Sequence, residues 1–233
     1  MQRNTVKLYK ILNYLIWFLF IPGLLLLAFL TGEFRIISAL VIVLALIPFF
    51  LKFESRLPEA KEVVLLAVLT ALTVVMRIVF SPLPFFKPVT ALIILAGLAF
   101  GSEAGFLIGA LSALLSNFYY SQGIWTPYQM FAWGLIGSVS GLMKGILKLK
   151  KAWSYFFLLL LGVFSAFVFA IIMDIQTVLF IDNYFNLKRF ILATGSSFPY
   201  TMIHVLSNVF FLFAFGEIML RVFVRIKTKY FNH

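Results

Sequence analysis

The 233-residue chain has no cysteine, two histidines and eight acidic residues. Without cysteine it forms no disulfide and offers no thiol nucleophile and no thiolate metal site. Two histidines, one of them the terminal His233, do not make a histidine cluster. There is no P-loop, no H-E-x-x-H and no G-x-S-x-G, so nothing in the chain marks it as an ATPase, a zincin or a serine hydrolase. Charge is scarce too, at 12% of residues against roughly 25% in a soluble domain. Hydrocarbon is abundant: 63% of residues are hydrophobic, 29 are Phe, and the mean hydropathy is +1.07. That excess is too large for a core and implies a lipid-facing surface.

A span needs roughly 20 apolar residues to cross about 30 Å of hydrocarbon. Eight segments qualify: 9–31, 35–51, 62–80, 88–101, 104–120, 126–147, 153–180 and 198–222. The fourth is short and runs almost directly into the fifth through Gly101, Ser102 and Glu103. The first is read as a retained span and not a signal peptide, because it is long and lacks a small-residue cleavage site. The net charge of +11 invites a nucleic-acid reading, and the placement of the charges argues against it. With the N-terminus inside, fourteen Lys and Arg flank the inner helix ends: Arg3, Lys7, Lys10, Lys52, Arg56, Lys61, Lys144, Lys148, Lys150, Lys151, Arg221, Arg225, Lys227 and Lys229. Four fall outside (Arg35, Lys87, Lys188, Arg189) and Arg77 lies within a span. This is the positive-inside bias of a multi-pass protein of a prokaryotic plasma membrane with both termini cytoplasmic. The expected partners are therefore lipid and a small molecule, with no nucleic acid.

The expected fold is all-α: a polytopic bundle of six helices (62–222) preceded by an N-terminal transmembrane hairpin (1–53). A charged linker (54–61) joins the two, and a basic tail (223–233) follows. Polar groups inside spans are costly and mark candidate sites. Arg77, Asn117, Gln129, Trp133, Asp174, His204 and Asn208 come from five helices, and the topology puts them all in the outer third of the membrane. Gln129 and Trp133 are one turn apart, as are His204 and Asn208, so each pair shares a face. Trp125 sits just above them in the run NFYYSQGIWTPYQMFAWG. Such a set suits a flat polar organic molecule, with aromatics stacking it and amides orienting it. Simpler roles stand beside this one: Asp174 pairing with Arg77 or Lys87, single amides bridging helices, and Trp125, Tyr128 and Trp133 serving as interfacial belt aromatics. Gly101, Gly105 and Gly109, and again Gly137, Gly141 and Gly145, recur every fourth residue, which fits close helix packing within the chain.

The segment 62–222 resembles the substrate-binding (S) component of energy-coupling factor transporters, the ABC-type vitamin importers. The resemblance rests on LLAVLTALTVVMRIVF with its Ala67/Ala71 pair, KPVTALIILAGLAFG, GSEAGFLIGALSALLSN and GIWTPYQMFAWGLIGSVSGL, in that order. It covers about 160 of the 233 residues. It implies a vitamin-like ligand taken from outside, a riboflavin-like or cobalamin-like ring compound among the options. It also implies docking on a transmembrane coupling subunit through Ala67 and Ala71, and ATP hydrolysis in two separate cytoplasmic subunits. The chain itself would be no enzyme and would bind no cofactor. The usual member has six spans, so the N-terminal hairpin is a departure. The competing readings are a standalone secondary transporter and an intramembrane lipid-modifying enzyme.

Overall fold

The computed structural model describes residues 11–12, 15–55, 58–148 and 150–231. Every regular element among them is helical. A π-helical turn, Ile16–Phe20, leads into α1 (Ile21–Thr31), followed by α2 (Phe34–Ser55), α3 (Ala60–Val79), α4 (Val89–Phe100), α5 (Ser102–Tyr120) and α6 (Trp125–Leu142). After a 3-10 segment, Met143–Lys148, come α7 (Lys151–Asp182) and α8 (Leu187–Phe231). Helix α2, helix α3, helix α6 extended to Leu147 and helix α7 are long and apolar enough to cross a membrane, and α4 is a shorter apolar helix. The protein is an all-α polytopic membrane protein.

Helix α4 explains its own shortness. Its 12 residues rise only about 18 Å, less than the hydrocarbon thickness. Every residue from Val89 to Ala99 is buried, with α3, α5, α6, α7 and α8 packed around it, so α4 has no bilayer to match. It ends at Gly101, whose φ of 105° is open to glycine and hard for other residues. The Lys227 ammonium donates to the Ala99 carbonyl at 2.8 Å, which satisfies an orphan acceptor and places a cation at the negative end of the helix.

Helices α5 and α6 cross on their glycines. A Cβ at Gly105 would run into the Gly137 carbonyl, one at Gly109 into the Trp133 carbonyl, and one at Gly141 into the Ser102 backbone. The glycine spacing is thus a packing device within the chain. Gly145 takes no part: nothing lies within 4 Å of a Cβ built there.

The N-terminal hairpin lies against α5 and α6. Phe49 of α2 stacks on Phe106 of α5 with ring centroids 3.6 Å apart, and Tyr128 donates to Ser38 Oγ at 2.5 Å. Asn183, in the turn between α7 and α8, accepts from the Arg35 amide at 2.9 Å and donates to Glu33 Oε2 at 3.2 Å.

The hydropathy pattern predicts the last two spans at 153–180 and 198–222, with a connection between them. Instead α7 runs to Asp182, and α8 resumes at Leu187 and continues through Pro199. Asn183 closes α7 in the left-handed conformation, φ 59°, a usual C-terminal device. Asn186 Oδ1 then accepts from the Lys188 and Arg189 amides at 3.1 and 3.3 Å, an N-cap that starts α8. The polar stretch 187–197 is helix.

Candidate functional site

At the lysine-poor end of the helices a cavity of about 340 Å³ opens among α3, α4, α6, α7, α8 and the 81–88 loop. Its polar wall starts from Arg77 in the last turn of α3. Arg77 Nη1 donates to Ser116 Oγ and, at 2.8 Å, to Asn117 Oδ1. The guanidinium lies 4.6 Å from the ring centroid of Tyr120 and 4.9 Å from that of Trp133, in cation–π range. The Tyr120 hydroxyl donates to the Arg77 carbonyl at 2.8 Å, so the end of α3 is tied to the end of α5.

Asn117 is fully buried behind this wall. Its Nδ2 donates to Gln129 Oε1 at 2.8 Å and to Thr126 Oγ1 at 2.9 Å. An asparagine side chain has one acceptor oxygen and two donor hydrogens; all are used. Asn117 thus holds Arg77 from one helix and Gln129 from another. With its oxygen engaged by Asn117, Gln129 has its amide donors left for a ligand in the cavity that it lines.

The aromatic wall is built the same way. Trp133 Nε1 donates to Thr90 Oγ1 at 3.1 Å, and Thr90 Oγ1 lies 2.9 Å from His204 Nε2. An indole N–H only donates, so Thr90 accepts there and its own hydroxyl proton is free for the His204 nitrogen. Trp133 stacks on Phe169 (centroids 5.1 Å apart, planes 28° apart), and Phe169 meets His204 edge-on at 5.5 Å. One chain of contacts therefore fixes the indole, its stacking partner and the imidazole.

The 81–88 loop roofs the cavity with Ser81, Pro84, Phe85 and Lys87. Lys87 Nζ sits 4.7 Å from the Tyr120 ring centroid. Burial, and then the charge of Arg77, hold its ammonium below the ordinary lysine range. No carboxylate lines the cavity among the described residues. Two cations without an acid favour ligands rich in acceptor oxygen, anionic ones most, and disfavour cationic ones.

Of the residues singled out in the sequence, Arg77, Gln129, Trp133 and His204 line this cavity and Asn117 braces it. Three others lie elsewhere. Trp125 is half-exposed, with its ring folded onto Gly123. Asp174 accepts from Ser197 Oγ at 3.0 Å, beyond the cavity, because α7 and α8 extend further than the assumed spans. Asn208 donates to the Gly162 carbonyl at 2.9 Å, one turn below His204, where α7 and α8 touch. Thr90, Lys87, Phe169 and the loop residues were not foreseen. Thr90 and Lys87 carried a faint signal in KPVT at a helix start; Phe169, one of 29 phenylalanines, carried none.

A helical bundle with an aromatic-walled, oxygen-seeking cavity at one end of its spans is built as a membrane protein that holds a small solute. A family model described as ECF-type riboflavin transporter, S component, matches residues 58–215, about two thirds of the chain. The chain belongs to this family. It is a vitamin-capture subunit of an ECF-type transporter, a substrate-binding component and not a catalytic enzyme. Searches of curated proteins and of solved structures find no match.

Proposed function

We propose that the cavity at Trp133 binds riboflavin or a close flavin. The observation that carries this reading is the stacked Trp133–Phe169 pair beside the donors of Arg77 and Gln129, with no acid in the wall. A flavin offers a flat three-ring system to stack, two carbonyls on its pyrimidine edge and a chain of hydroxyls. Stacked aromatics contribute about 0.5–1.5 kcal/mol beyond burial. Arg77, Gln129 and Lys87 supply donors for the oxygens. The 340 Å³ volume lies at the small end of ligand pockets and does not house a corrinoid, so cobalamin is the poorer fit. A cationic vitamin such as thiamine meets two like charges.

The test is titration of the purified protein with riboflavin, read by quenching of flavin fluorescence. One-to-one quenching that excess thiamine leaves unchanged is expected. Absence of quenching, or binding of thiamine or cobalamin in its place, overturns the reading.

The transport role adds partners. A coupling subunit would dock on α3, where Ala67 and Ala71 are both exposed among Val64, Val68 and Val75, and two ATPases would supply the energy. The double substitution Ala67→Leu/Ala71→Leu should keep riboflavin binding and lose co-purification of the coupling subunit. The lysine-rich ends and both termini would face the cytoplasm, a topology that reporter fusions check.

A further inference from the structure

A second, larger cavity of about 560 Å³ lies at the opposite, lysine-rich end, between the start of α7 and the last turns of α8. Its lining is of two kinds. Lys151, Arg221 and Arg225 form a cationic rim, while Leu158, Leu220 and Val224 form an apolar floor. One acid, Glu217, enters the rim. It lies 3.2 Å from Lys151 Nζ and 3.5 Å from Arg221 Nη2, and it accepts from the Tyr155 hydroxyl at 2.8 Å. Three cations against one carboxylate leave a net charge of +2 at the rim.

The depth of the cavity is fixed by its neighbours. From Phe190 to Gly216, α8 carries no Lys, Arg, Asp or Glu; from Glu217 onward charges recur every turn. On α7, exposed Trp153 and Phe156 pack against each other one turn from Lys151. Exposed aromatics of this kind mark the membrane–water interface. The cavity therefore straddles the level where hydrocarbon gives way to headgroups, with its apolar part on the hydrocarbon side.

We propose that this cavity binds an anionic phospholipid of the leaflet at the lysine-rich end. The phosphate sits among Lys151, Arg221 and Arg225, and one acyl chain lies along Leu158, Leu220 and Val224. Basic pockets between transmembrane helices are a recognised site for anionic headgroups. Charge and apolar shape are both needed, which separates this site from general attraction of a basic protein to an acidic membrane. It shares no residue with the vitamin cavity, so either proposal stands without the other.

The test is native mass spectrometry of the full chain, titrated with dioleoylphosphatidylglycerol, with dioleoylphosphatidylcholine and with inorganic phosphate. Phosphatidylglycerol should stay bound at least tenfold more tightly than phosphatidylcholine, and millimolar phosphate should not displace it. Arg221→Gln/Arg225→Gln should weaken phosphatidylglycerol about 25-fold, from roughly a fivefold loss per charge. Val224→Trp, which fills the floor and keeps every charge, should weaken it as well. Each variant is checked for riboflavin binding, to which these residues contribute nothing. Equal retention of the two lipids overturns the proposal, as does displacement by free phosphate. So does wild-type affinity in Val224→Trp, which would reduce the effect to surface charge. Loss of bound lipid on adding the coupling subunit, with no lipid in the intact complex, would assign the groove to a protein partner and overturn it too.

Discussion

Asn117 is the residue whose removal tests the site most directly. It never reaches the cavity, yet it holds two side chains that do. In Asn117→Ala, Arg77 keeps Ser116 but loses the 2.8 Å bond to Oδ1, and Gln129 Oε1 loses its donor. A buried group left unpaired costs about 1–3 kcal/mol. Part of that cost falls on the fold and part on binding, because Gln129 then turns to find another partner. An affinity loss of about 1–1.5 kcal/mol follows, roughly 5- to 13-fold in Kd. Gln129→Ala alone should cost a similar amount, since it removes the side chain that Asn117 positions. The two act through one contact, so the double variant should fall short of the sum by about 1 kcal/mol or more. Asn117→Asp adds a second arm: it keeps an acceptor for Arg77 and removes the donor to Gln129, so it should preserve the thermal midpoint better than it preserves affinity. Calorimetry with riboflavin in detergent, run on the four members of the cycle, gives the coupling energy. Strict additivity, or wild-type affinity in Asn117→Ala, would refute the argument that Asn117 acts through Gln129.

Trp133→Phe should retain stacking on Phe169 and lose the bond to Thr90, weakening flavin binding by about 0.5–1.5 kcal/mol, while Trp133→Ala should abolish fluorescence quenching. Gly137→Ala should lower the thermal midpoint sharply, because its Cβ meets the Gly105 carbonyl, whereas Gly145→Ala, facing open space, should leave it unchanged or raise it slightly; thermal unfolding in detergent reads both. Phe49→Ala should lower stability by at least about 0.5–1.5 kcal/mol by removing the ring stacked on Phe106, with riboflavin affinity within about twofold of wild type.

The parts of the site readable in sequence are those in which a polar side chain stands out against hydrocarbon and finds its partners across helices. Asn117, Gln129 and Arg77 are of this kind, and the Gly101 break between α4 and α5 was visible for a related reason. Less legible are polar groups whose bond ties two neighbouring helices together, even where, as in Asn208, the Oδ1 is left unpaired. Asp174 with Ser197, and Asn208 with the Gly162 carbonyl, link α7 to α8 along one antiparallel pair. In sequence these look the same as ligand contacts. Depth was the other weakness. Asn186 as an N-cap extends α8 by eleven residues beyond the assumed start, from 198 back to 187, and that shift moves Asp174 away from His204. Phe169 shows the opposite limit: in a Phe-rich span only three dimensions tell which ring faces the cavity.

The N-terminal hairpin, outside the matched segment, gains a physical account from where it sits. Helix α2 packs on α5, α6 and α7 and covers Phe106 with Phe49. Helix α3 also packs on α5 and keeps its Ala67 and Ala71 face exposed. The hairpin does touch the site's supports: Ser38 holds the Tyr128 hydroxyl one residue before Gln129, and Glu33 and Arg35 hold the turn that joins α7 to α8. Those two helices carry Phe169 and His204. The added pair thus braces α6, α7 and α8, the three helices that carry Gln129, Trp133, Phe169 and His204.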